Sequence, residues 1–235
     1  MGTTTSKIGQ SEVIVDAGYD HRWYAATGPY VNQVLEDYVK TPYTAANVIG
    51  SWLTTPSGAS TNALVAGALG GNMLITTAAA ENNGITSQQV LGEAFLPTAN
   101  NEIYFGIRFQ ISDATESDFL VGLAITNQTP LGGITDGIYF RKIDGTTQCN
   151  FVVETAATET STAALTVVAA TWYILEFKWN GTNLYFYVDG VLTGTPVVTN
   201  IPTVEYLTPT ICFLTGEAVA KTMTVDWIRV IQTVG

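Results

Sequence analysis

The chain has 235 residues, with 9 Lys and Arg against 20 Asp and Glu, a formal charge of −11. That acid excess repels phosphate, which excludes general nucleic-acid binding and attraction to anionic membrane surfaces. Hydrophobic residues at 46% against charged residues at 12% describe a chain that folds, and at this length the core needs no disulfide or metal staple.

In chain order, Met1–Gln10 is polar and reads as an extended arm. It has no apolar stretch of the kind a cleaved secretory signal requires. Gly2 and Ser6 fit the short myristoylation pattern, which matches often by chance. Gly18–Tyr30 gathers Tyr19, His21, Trp23, Tyr24 and Tyr30, more aromatic surface than a solvated leader needs. Over Pro29–Lys40, Pro29 suits a first helical position and Val31, Val34, Leu35 and Tyr38 recur at helical spacing, so a short amphipathic helix is predicted, stopped by Pro42.

From Val48 onward the pattern changes to strands and turns. In Ile103–Ile111 every odd position is large and apolar, a period of two that no helix satisfies. Phe119, Val121, Leu123 and Ile125 repeat it. Asp144-Gly145 and Asn180-Gly181 separate strand pairs with the residues of tight type I′ turns, and Asp189-Gly190 turns the chain into Val191–Thr195. Ala156–Thr171 reads as strand, turn, strand, and Lys221–Gln232 as a closing strand. No run approaches the roughly 18 apolar residues of a membrane helix. The fold class is all-β, an antiparallel two-sheet jelly-roll sandwich over residues 46–235, preceded by an arm and one short helix over residues 1–45.

Glycoside hydrolysis on such a fold needs two carboxylates about 5–9 Å apart, most simply at alternate positions of one strand. No strand carries that pattern, and Glu154, Glu176 and Asp226 stand singly, so they are expected to face solvent. Asp113, Glu116 and Asp118 form an acidic loop whose spacing fits no EF-hand. His21 is the one histidine, which leaves no His-based metal cluster. Cys149 and Cys212 lack the surroundings that make a thiol reactive and are expected as reduced, buried side chains. No Gly-rich phosphate loop is present. These residues predict no enzyme, no metal and no cofactor, but a structural or binding module.

The segments Ala80–Ile85, Gly92–Phe95, Ser112–Thr126, Thr135–Lys142, Phe186–Leu192, Thr199–Pro202, Leu207–Thr210 and Gly216–Val230 resemble virion proteins of tailed bacteriophages with a concanavalin A-like (laminin-G-like) jelly roll. The resemblance implies a capsid decoration (cement) protein on the outer surface of a phage head, made in the bacterial cytoplasm, with the major capsid protein as partner and a homotrimer as its form. Trp23, Tyr24, Tyr30 and Tyr38 are then the expected capsid or inter-subunit contacts. The alternative is a lectin-like carbohydrate-binding adhesion module, with Trp52, Trp172 and Trp179 as candidate stacking residues, although strand alternation assigns them to the core. A glycosidase is the third reading.

Overall fold

The computed structural model describes residues 2–39, 44–45, 48–49, 51–65, 70–89 and 92–234. Strands β1 (Thr3–Ile8), β2 (Ser11–Asp16) and β3 (Trp23–Thr27) form a small meander, and β4 (Val31–Glu36) follows. Next come β5 (Thr44–Ala45), β6 (Val48–Ile49), β7 (Trp52–Pro56), β8 (Thr61–Leu64), β9 (Met73–Thr76), β10 (Gly84–Gln89), β11 (Asn101–Ile111) and β12 (Ser117–Ala124). One turn of helix, α1 (Pro130–Gly133), leads into β13 (Gly137–Lys142), β14 (Gln148–Thr155) and β15 (Thr158–Thr166). The chain closes with β16 (Tyr173–Trp179), β17 (Leu184–Val188), β18 (Val191–Val197), β19 (Thr208–Thr215) and β20 (Thr222–Val234).

Two large sheets face each other. One has the order β15-β14-β13-β12-β19-β10-β7-β6-β5, the other β18-β17-β16-β11-β20-β9-β8, with β4 alongside β20. The sequence alternation explains the core. Phe105, Phe109, Leu175, Phe177 and Phe186 point inward from the eight-stranded sheet, and Phe119, Phe140, Phe151 and Phe213 meet them from the nine-stranded one. The Phe151 and Phe186 rings stack across the interface with centroids 4.5 Å apart. The fold is thus the antiparallel sandwich expected, with its short helix at Pro130–Gly133.

Residues 29–40 differ from the expectation: Val31–Glu36 is a strand, not a helix. It pairs antiparallel with β20, from Val31 opposite Thr233 to Glu36 opposite Ile228. The β20 edge offers a row of backbone donors and acceptors, and pairing them outweighs a weak helical periodicity that includes two β-branched valines. Within Met1–Gln10, expected as an extended arm, Thr3–Ile8 is extended and paired, as β1 with β2 around Gly9.

The meander lies on the outer face of the eight-stranded sheet. Val13, Val15, Trp23 and Ala26 bury Tyr104 and Ile231 beneath it. This corrects the expectation for Glu176, which is fully buried instead of solvent-facing, because that face is covered.

The turns also sort differently. Residues 143–147 and 180–183 are longer loops in which only Gly145 and Gly181 have positive φ. Among the described residues, two-residue hairpin turns with positive φ at both positions are Asp189-Gly190, with φ of 51° and 82°, and Ala156-Ala157, with φ of 47° and 59°. The second joins β14 to β15, which is one strand where a strand-turn-strand was expected.

Candidate carbohydrate-binding face

On the nine-stranded sheet, residues one position out of phase with the core face outward. Leu120 and Ala124 of β12, Tyr139 of β13, Val152 of β14 and Cys212 of β19 form an apolar patch there. The segment from Ile125 to Asp136, which contains α1, folds back over the patch and seats Leu131 and Ile134 on it. Its backbone is tied down by side chains of β10. Thr86 Oγ1 donates to the Gln128 carbonyl at 3.2 Å, and Gln88 Nε2 donates to the Ile125 carbonyl at 3.1 Å. Gln88 Oε1 accepts from the Asn127 N–H at 2.9 Å, and Asn127 Nδ2 donates to the Gly133 carbonyl at 2.7 Å.

This folded-back segment leaves a groove of about 520 Å³ beside it. Thr55, Gly84, Thr86, Cys212 and Leu214 make the floor, Pro56, Ser57 and Asn82 one wall, and Gln128–Gly132 the other. Hydroxyl and amide groups alternate with apolar surface, and no charged side chain lines it among the described residues. Burial pushes the Cys212 thiol up to about 12, so it is neutral. A Cβ at Gly132 would meet nothing within 4 Å, so the rim is open at that point.

On the other side of the segment stands a polar cluster. The Tyr139 hydroxyl donates to Glu154 Oε2 at 2.6 Å, and Arg141 Nη2 lies 2.8 Å from both oxygens of Glu159. Burial and the Glu154 carboxylate push the Tyr139 hydroxyl well above its ordinary range. Glu154 and Glu159 are direct partners across β14 and β15, so an antiparallel pair sets two acidic residues opposite each other on one face, where no single strand carries such a pair. Glu154 is buried, where exposure was expected. The Ala156-Ala157 turn beside it is held in left-handed backbone by Asp136, whose Oδ1 accepts the Ala156 N–H and the Thr155 hydroxyl at 3.0 Å each.

The acidic loop is satisfied from within. Asp113 accepts the Lys221 ammonium at 2.6 Å and the N–H groups of Thr115 and Glu116, which hold its carboxyl near 2. The fully buried Lys142 ammonium donates to the carbonyls of Thr115 (3.1 Å) and Ser117. A resident side-chain cation therefore sits where carbonyl oxygens converge. Among the described residues, no group of three His, Cys, Asp or Glu side chains is placed to hold a metal ion.

The four aromatic contact candidates do not form one surface. Trp23 is buried between the meander and the eight-stranded sheet, and Tyr38 is buried in the main core. Tyr24 is half-buried, with its hydroxyl on Asp16 and the Arg229 guanidinium 5.1 Å from its ring centroid. Tyr30 alone is largely exposed, at 54%. Trp52 and Trp179 are core residues, as alternation indicated, and Trp172 stacks under Arg108 at 4.3 Å. Asp226 pairs with Arg108 instead of standing singly.

No protein-family model and no curated protein sequence matches the chain. Solved structures do. A protein of unknown function from Shewanella oneidensis MR-1 superposes with a TM-score of 0.62 at 12% identity, over 87% of each chain. An endo-1,3-β-glucanase from Streptomyces sioyaensis gives 0.60 at 15% identity, over 90% of this chain and 100% of the enzyme. The carbohydrate recognition domain of Emp46p, in its metal-free form, gives 0.57 at 8% identity, over 83% and 94%. At these identities the likeness is one of fold.

These findings overturn the virion reading. The segments that carried the resemblance are parts of the sandwich frame: Phe186–Gly190 is β17 with its type I′ turn, and Thr222–Val230 lies within β20. A frame is shared by every protein that uses it, whatever its role. The same frame here groups with glucan-cleaving and carbohydrate-recognising proteins. The capsid partner, the homotrimer on a shell, the place on a phage head and the exclusion of enzymatic activity lose their support together. The chain carries a jelly-roll sandwich similar in fold to those of the endo-1,3-β-glucanase and the Emp46p carbohydrate recognition domain.

Proposed function

We propose that the outer face of the nine-stranded sheet recognises a carbohydrate, with a neutral glycan chain lying in the groove between β7, β10, β19 and the α1 segment. The groove itself carries the reading. Its volume of about 520 Å³ lies within the range of small-molecule sites, no charged side chain lines it among the described residues, and the hydroxyls and amides of Thr55, Ser57, Asn82, Thr86 and Gln128 stand beside the apolar surface of Pro130, Leu131 and Leu214. Such a lining exchanges hydrogen bonds with sugar hydroxyls and gives no purchase to an ionic ligand. The glucanases and the carbohydrate recognition domain that share the sandwich support the same ligand class by analogy.

A second reading, glycoside hydrolysis on this face, is favoured by the placement of Glu154 directly opposite Glu159. Facing residues on an antiparallel pair have Cβ atoms about 5 Å apart, within reach of the carboxyl separation of retaining glycosidases. One experiment addresses both readings: retention of the full chain on gels containing β-1,3-glucan, mixed-linkage glucan or an acidic polysaccharide, with reducing ends assayed in parallel. Retardation by neutral glucans alone supports recognition. New reducing ends that disappear in Glu154→Gln establish hydrolysis. No retardation by any neutral glycan overturns the carbohydrate reading.

A further inference from the structure

We infer a second, separate saccharide site at the end of the sandwich, bracketed by Tyr30 and Tyr206. It rests on the carbohydrate reading for its ligand class alone; its place, where β4, the segment from Ala94 to Asn101 and strand β20 meet, lies away from the groove. The cleft has a volume of about 330 Å³ and includes Tyr30, Asn32, Leu96, Asn101, Tyr206 and Gln232 in its lining. Both tyrosines are more than half exposed, at 54% and 52%, although an aromatic ring ordinarily seeks cover. Two such rings on one cleft form an apolar surface with polar tips, the complement of a sugar ring with its C–H faces and rim of hydroxyls.

Side-chain hydrogen bonds tie the frame between them together. Asn32 Nδ2 donates to the Ala94 carbonyl at 2.9 Å, and Asn101 Nδ2 donates to the Leu96 carbonyl at 2.9 Å. Gln232 takes the Leu96 N–H at 3.2 Å and donates to its carbonyl at 3.0 Å. Each asparagine thus commits one of its two N–H donors to the loop. Among the described residues no protein donor satisfies the Oδ1 atoms of Asn32 and Asn101, which leaves two acceptors for ligand hydroxyls. Among the described residues no carboxylate, ammonium or guanidinium lines the cleft, so the ligand is neutral. The volume is at the lower end of small-molecule sites, which suits one or two sugar rings instead of a long chain. Tyrosine also loses little rotamer freedom on contact, which makes it an economical anchor.

The test is a titration followed by aromatic and methyl NMR on the full chain, with methyl β-D-glucoside and a β-1,3-linked glucotriose as probes. Ring signals of Tyr30 and Tyr206 report the cleft, and methyl signals of Leu131 and Leu214 report the groove. The expected result is a saturable shift of both rings that persists in Gly132→Phe, with the Tyr30 response weakened about tenfold in affinity in Tyr206→Leu. Rings that move while the leucine methyls stay still uphold this site and refute the groove. Leucine methyls that saturate with unmoved rings overturn this site and leave the groove standing. Unmoved rings with silent methyls overturn both. Ring shifts that follow protein dilution without sugar identify a second copy as the occupant and overturn the proposal.

Discussion

Arg22 grips Glu176 with two parallel hydrogen bonds of 2.6 Å, from Nε to Oε1 and from Nη2 to Oε2, and both side chains are buried. The Tyr104 hydroxyl adds a third bond to Oε1 at 2.8 Å, and His21 Nε2 lies 3.5 Å from Oε2 while its ring stacks on Tyr187. One carboxylate of the eight-stranded sheet therefore fastens the N-terminal meander to the sandwich. Burial, the largest single influence, would raise the Glu176 carboxyl; the bonds and charge of Arg22, joined by His21 and Tyr104, together outweigh it and hold it below the usual carboxylate range.

Arg22→Leu is expected to destabilise the protein by about 3–5 kcal/mol, since it leaves a buried carboxylate without its counter-charge. Adding Glu176→Leu should restore much of the loss. The check is urea unfolding at neutral pH for the two single variants and the double. If Arg22→Leu costs under about 1 kcal/mol, the meander is not fastened through this pair.

Asp118 responds to pH in the opposite sense. Burial, joined by the Asp144 charge and opposed by the Asp144 N–H bond, raises its carboxyl from 3.8 to about 6. Between those pH values the folded protein holds a proton that the unfolded chain has released, so this site makes stability fall as pH rises. Asp118→Asn, which keeps an oxygen for the Asp144 N–H, should flatten the melting-temperature profile between pH 4 and pH 6 and be the more stable protein at pH 7. Parallel profiles for the two proteins would refute the assignment.

The left-handed alanines at the β14–β15 turn store strain of roughly 1–2 kcal/mol each. Ala157 donates its N–H to the Thr135 carbonyl at 2.8 Å, so the conformation is imposed by neighbours. Ala157→Gly should stabilise the chain by about 1 kcal/mol, read by denaturant midpoint at unchanged slope. A loss of stability would mean that the turn is not strained.

Lys142 serves as the internal cation of the acidic corner. Lys142→Met should cost about 1–3 kcal/mol, because the Thr115 and Ser117 carbonyls lose a buried donor. Thermal melting checks this, and an unchanged midpoint would show that water replaces the ammonium without penalty.

The sandwich was legible because alternation in β11, β12, β16 and β17 is strict, and a two-residue period admits no other element. The Pro29–Lys40 segment misled because its apolar residues satisfy a helical face locally, while the β20 edge that captures it lies about 200 positions away in the chain. The carboxylates misled for a related reason. Glu154 and Glu159 become partners only through the register of two strands, and Glu176 finds Arg22 only when the meander folds over. The groove left no motif at all. Its lining is drawn from Thr55 to Leu214 and consists of common neutral residues that signify nothing until the α1 segment is laid across the sheet. Tyr30 carried a signal, exposed aromatic surface, but the partner that gives it meaning, Tyr206, lies on a distant loop.

Binding of a neutral glycan in the groove beside α1 is read most directly by a calorimetric titration of a β-1,3-linked gluco-oligosaccharide into two proteins. Both carry Tyr206→Leu, so that only the groove is read, and one also carries Gly132→Phe, which places a ring at an open point of the rim. A glycan-binding groove gives saturable binding that Gly132→Phe weakens about tenfold or more, the equivalent of about 1.4 kcal/mol, with unchanged thermal stability. Equal affinity for the two proteins would contradict binding in the groove.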